Sequence, residues 1–96
     1  MIVVITGPAI ADLREIGNYF AFESPSRAVK VSDSLEQACL SLAESPERYP
    51  LVPQLGPNIR RMVHKSYLVF YRVGVTVEVL RIVHGARRYE GLFPDA

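Results

Sequence analysis

Apolar residues recur along this chain with two different periods, and the change of period divides it into a helical front and a strand-rich back. The opening Ile2-Val3-Val4-Ile5 is a continuous apolar run that stops at Thr6-Gly7-Pro8. It predicts a strand, followed by a helix with Thr6 as candidate cap and Pro8 in its first turn. Ile10, Leu13, Ile16, Gly17 and Phe20 then recur at three- and four-residue spacing while Asp12, Arg14, Glu15 and Asn18 fall elsewhere, which predicts a one-sided helix over 8–22. After a turn at Glu23-Ser24-Pro25-Ser26, a second helical stripe runs through Ala28, Val31, Leu35, Ala38, Cys39, Leu42 and Ala43 and ends at Glu44-Ser45-Pro46. Two helices joined by so short a turn form a hairpin.

Pro46, Pro50, Pro53 and Pro57 punctuate a stretch with neither period, which therefore reads as a connecting loop. Beyond it, residues 59–64, 67–73 and 75–83 are rich in β-branched and aromatic side chains and are separated by the short turns Lys65-Ser66 and Gly74. They predict a three-stranded antiparallel meander. The fold class is α+β in the order β-α-α-β-β-β, a helical hairpin packed on a small, mainly antiparallel sheet, and residues 1–96 form a single domain.

Both faces of the meander are apolar. Leu68 and Phe70 alternate with Tyr67, Val69 and Tyr71, and Val77 and Val79 are expected to oppose Leu80 and Ile82. A helical hairpin covers only one face of such a sheet. The other is expected to be either an interaction surface rimmed by Arg61, Arg72 and Arg81, or the bed on which residues 89–93 fold back.

Composition is that of an ordinary globule, 49% hydrophobic and 22% charged, and the net charge of +1 conceals an asymmetry. Residues 1–50 hold four basic and seven acidic side chains, whereas residues 51–96 hold seven basic and three acidic ones, so the strand-rich half suits an acidic partner. The apolar opening is too short for a signal-peptide core and has no basic residues before it; the expected location is the cytoplasm, with no membrane association. The single cysteine, Cys39, lies in a helical stripe and reads as a packing residue. Two histidines and one cysteine at no ligand spacing exclude a familiar metal motif, and there is no glycine-rich phosphate loop; no cofactor is expected.

Several elements in order resemble the ParE/RelE superfamily of toxins from bacterial toxin–antitoxin pairs, also called plasmid-stabilisation proteins. They are Pro8-Ala9 with Asp12-Leu13 and Ile16, Ser24-Pro25, Leu42-Ala43 followed by Pro46, Ile59-Arg60, Tyr67 with Phe70-Tyr71-Arg72, and Val79-Leu80-Arg81-Ile82-Val83-His84-Gly85-Ala86-Arg87. The resemblance covers nearly the whole chain. It implies the same strand, two helices and meander, and a cognate ParD-like antitoxin whose helices and extended segment wrap the toxin, with Tyr67, Val69 and Tyr71 as candidate contacts.

Two activities occur within that superfamily. ParE-like members block DNA gyrase without catalysis, and the Ile-Val-His-Gly-Ala-Arg ending is similar to theirs; the expected target contacts are then Arg60, Arg61, Arg81 and Arg87. RelE-like members cut messenger RNA on the ribosome, and on that reading Arg61, Arg81, His84 and Tyr89 would bind phosphate and move protons. Loop 46–57 carries no lysine and one arginine, Arg48, thin for a protein that docks on ribosomal RNA. A third reading is a domain that binds antitoxin and has lost toxicity. Each candidate also has a plain structural role open to it: His84 as a strand-end cap, His64 likewise, and Arg72 with Glu78 as a cross-strand ion pair.

Overall fold

A computed structural model of the chain describes residues 1–93. The elements are β1 (Val3–Ile5), α1 (Gly7–Ala21), α2 (Pro25–Leu40), β2 (Ile59–His64), β3 (Tyr67–Val73) and β4 (Val77–His84), with single 3₁₀ turns at Ser41–Ala43, Pro46–Arg48 and Pro53–Leu55. The sheet order is β1-β4-β3-β2; β2, β3 and β4 form the antiparallel meander, and β1 returns to pair with β4 in parallel. No helix among the described residues is long and apolar enough to cross a membrane.

Local chemistry accounts for most boundaries. Ser24 caps α2 by accepting the Arg27 N–H, and Pro25 occupies its first turn. Thr6, expected to cap α1, instead donates its hydroxyl to the Val79 carbonyl at 2.7 Å, the same oxygen that accepts the Thr6 backbone N–H at 3.1 Å where the end of β1 lies against β4. A Cβ on Gly17 would lie 3.1 Å from the Ser32 hydroxyl, so glycine lets α1 and α2 approach closely. Loop 46–57 is tied down from the sheet: Arg60 donates to the Glu47 and Tyr49 carbonyls, the Tyr71 hydroxyl donates to Pro46, and Leu51 bridges to Arg60 along part of the β2 edge.

Two clusters sandwich the sheet. On the helix side Ala9, Leu35, Cys39 and Leu42 pack on Met62, Val69, Tyr71, Val77, Val79 and Ile82. On the far side Ile59, Leu68, Phe70 and Val83 are covered by Val52 and Leu55 from the loop and by Tyr89, Leu92 and Phe93 from the tail. The second sheet face is therefore not an open interaction surface, since residues 89–93 fold back on it; Phe70 is wholly buried, with the Tyr89 ring centroid 5.1 Å and the Phe93 centroid 6.1 Å away.

One face assignment is corrected. Ile82 lies with Val77 and Val79 on the helix side, not opposite them, because the register of β4 slips between Phe70↔Arg81 and Tyr71↔Val79 and leaves Leu80 as the extra residue of a β-bulge. No glycine or proline signals that bulge.

Candidate functional site

Short β1 sets the geometry of the site. It pairs with β4 from Val77 to Val79 and no further, so the later part of β4 has α1 instead of a strand along that edge. Asp12 replaces the missing strand. Its carboxylate accepts the Ile82 backbone N–H at 2.9 Å and receives Arg81 through Nε at 2.7 Å and a terminal nitrogen at 2.9 Å. Asp12 is 6% exposed, and three donors satisfy it in that setting. Hydrogen bonding to Asp12 raises the Arg81 pKa above its ordinary value and outweighs the opposing effect of burial.

Beside this latch, α1 and the β3–β4 end enclose a groove of about 520 Å³. Its floor is Ile16, Tyr19, Phe20, Tyr67 and Ile82, and its polar rim includes Glu15, Ser66, His84 and Arg87. Tyr19 is 70% exposed, so the groove presents apolar surface to solvent. Burial pushes the Tyr67 hydroxyl pKa up, Tyr19 adds to this, and the nearby Arg27 charge opposes it. A smaller pocket of about 230 Å³ shares Phe20, Ser66 and Tyr67 with the groove and continues it toward α2.

The structure separates the sequence candidates. Arg61 donates to the Tyr89 hydroxyl at 3.0 Å, and Tyr89 packs on the far-face Phe70. Arg81 is held on the α1 side by Asp12, and His84 lines the groove, its Nδ1 accepting the Ala86 N–H at 3.1 Å as a cap would. Arg60 is turned to loop carbonyls, whereas Arg87 is exposed at the groove rim. Of the proposed antitoxin contacts, Val69 and Tyr71 are 0% exposed beneath the helices and offer a partner no surface; only Tyr67 reaches the groove. They lie on the face that the hairpin covers.

Other residues take structural roles. Arg72 pairs with Glu78 across β3 and β4 at 3.2 Å, with both side chains somewhat under half exposed. Burial, with Glu36 adding to it, pushes the Cys39 thiol up to about 12, which keeps it protonated and inert in the core. Among the described residues no cluster of His, Cys, Asp and Glu is placed to hold a metal. Sequence reasoning missed the role of Asp12 and the groove floor: Ile16 and Phe20 read as part of one helical stripe, with no sign that part of it stays uncovered, and Tyr19 lies outside that stripe.

With this geometry in place, comparison with known proteins is specific. The model of the family described as the ParE toxin of the type II toxin-antitoxin system, parDE, matches residues 3–89. Toxin ParE1 of Caulobacter vibrioides is 34% identical over 77 residues, spanning 79% of this chain and 80% of that protein. Among solved structures, a chromosomal ParDE system from P. aeruginosa has the same fold, with a TM-score of 0.77 over 88% of this chain and 95% of that one at 23% identity. The toxin–antitoxin complex RelBE2 of Mycobacterium tuberculosis aligns with a TM-score of 0.61 over 90% of this chain and 92% of that one at 26% identity. Family match and curated relative agree over most of the chain, which therefore belongs to the ParE toxin family of type II toxin–antitoxin systems.

Proposed function

We propose that this chain is a cytoplasmic toxin that arrests growth by binding DNA gyrase, without cutting RNA, and that a ParD-like antitoxin restrains it by filling the groove beside α1. The observation that carries the target reading is the separation of the nuclease candidates. Cleavage of a phosphodiester needs a base at the 2′-hydroxyl and cations at the phosphate converging on one substrate, with contacts of about 3 Å. Here Arg61 and Tyr89 engage each other at the far face, whereas Arg81 is bound on the α1 side and His84 lies along the groove there. A protein that acts by occupying a surface has no need of such convergence.

The antitoxin part rests on family membership and on the named ParDE and RelBE pairs, to which the apolar, solvent-open groove adds a physical reason. Arg87, exposed at the groove rim, is the arginine best placed for an intermolecular contact; Arg60, Arg61 and Arg81 act first as internal ties.

Inducing the chain in bacteria without its antitoxin tests this. Thymidine incorporation should fall before methionine incorporation, and co-expression of the antitoxin should restore both. An earlier fall in protein synthesis would support messenger cleavage instead, and unimpaired growth with folded protein would mark an inert antitoxin-binding domain.

A further inference from the structure

The small pocket between α2 and the β2–β3 turn has a chemistry that the proposed toxin action does not use. Arg27, Lys30 and Lys65 line it together with Ser34, His64 and Ser66, and no carboxylate does. Asp33 and Glu36 lie on the same helix but outside the lining. Among the described residues none of the three cations has a carboxylate within 4.0 Å, in contrast to Arg72 and Arg81, which are paired. A concave wall of one sign focuses positive potential into about 230 Å³ of space.

Two further features set the cations and donors in place. The Arg27 guanidinium stacks on the Phe20 ring, 5.1 Å from its centroid, and Ser34 and His64 share a 2.7 Å hydrogen bond across the pocket. Lys65 sits in the left-handed region at φ 54°, a conformation unfavourable for a non-glycine residue and for which a turn ordinarily selects asparagine or glycine. Lysine there brings its charge to the pocket mouth, and its seat in this turn is not explained by packing, since the residue is exposed.

We infer that this pocket is an oxyanion site that takes a phosphate group. Three positive charges oppose a phosphate dianion, the Ser66 hydroxyl can donate to its oxygens, and the Ser34 hydroxyl is free to do the same when His64 Nε2 donates to it. The adjoining groove has aromatic walls that suit an organic body attached to the phosphate. Free phosphate and a small phosphomonoester share this recognition. The site stands independently of which target the toxin acts on.

The test is a nuclear magnetic resonance titration of the full chain with inorganic phosphate at constant ionic strength, with a mononucleotide as the second arm. Saturable shifts at Lys65, Ser66 and the His64 ring are expected. The Lys30→Ala, Lys65→Asn double variant, whose asparagine suits the left-handed turn, should bind about tenfold or more weakly through the loss of two charges; Arg72→Ala, remote from the pocket, should bind as the parent does. If the mononucleotide binds more tightly and also shifts Tyr19 and Phe20, the ligand is a phosphomonoester with its body in the groove; if it binds more weakly, the ligand is the free anion. Shifts that never saturate, the same response to acetate, or unchanged affinity in the double variant would overturn the assignment.

Discussion

The two faces of the sheet solve the same burial problem with different materials. One is covered by two long helices, which enclose Val69, Tyr71, Val77, Val79 and Ile82. The other is covered by a one-turn 3₁₀ segment and a tail with no regular structure, which still bury Phe70 completely. The helices bring their own backbone hydrogen bonds, whereas among the described residues the tail has few ties: the Leu92 N–H donates to the Tyr89 carbonyl, and Arg61 donates to the Tyr89 hydroxyl. The helix-side cover should therefore carry most of the global stability, and the tail should open locally at much lower free energy.

Truncations on the two sides should expose that difference. Leu35→Ala, at a position 1% exposed on the sheet-facing side of α2, should lower unfolding free energy by about 2–5 kcal/mol in urea melts. Leu92→Ala, only partly buried in the tail, should lose less than about 1.5 kcal/mol. Equal losses would mean that the tail belongs to the cooperative core.

Arg81→Ala ranks between those two truncations. It strands the Asp12 carboxylate, 6% exposed, with the Ile82 N–H as its remaining donor, and should cost about 3 kcal/mol. Any loss of toxicity in that variant must be corrected for the folded fraction, so Arg87→Ala is the cleaner probe of target contact. Tyr89→Phe keeps the ring on Phe70 and removes the hydroxyl that Arg61 reaches, at a cost of about 1 kcal/mol, with faster hydrogen exchange confined to the tail. Smallest is Arg72→Ala: its pair with Glu78 is exposed and should contribute less than about 1 kcal/mol by double-mutant cycle.

Element order and type were legible because each element keeps its own period and its own punctuation: Pro8 and Pro25 opening helices, four prolines marking the loop, Lys65-Ser66 the hairpin. Relations between distant residues were not. Asp12 meets Arg81 across 69 positions, and nothing in the α1 pattern marks it as more than one polar residue of a helix. The bulge at Leu80 shifts Ile82 between faces without a local signal. Charge counted by halves hid the cationic pocket, because Arg27 and Lys30 lie in the acidic half and Lys65 in the basic one. Arg27, Lys30 and Ser34 do recur at helical spacing, and that stripe was the available clue.

Whether the proposed action on gyrase is by occupation and not by chemistry can be decided by incubating the purified chain with gyrase, ATP and relaxed plasmid DNA. Lost supercoiling or trapped double-strand breaks, relieved by antitoxin, are the expected result. Full gyrase activity in the presence of folded chain, together with cleavage of messenger RNA on translating ribosomes, would contradict it.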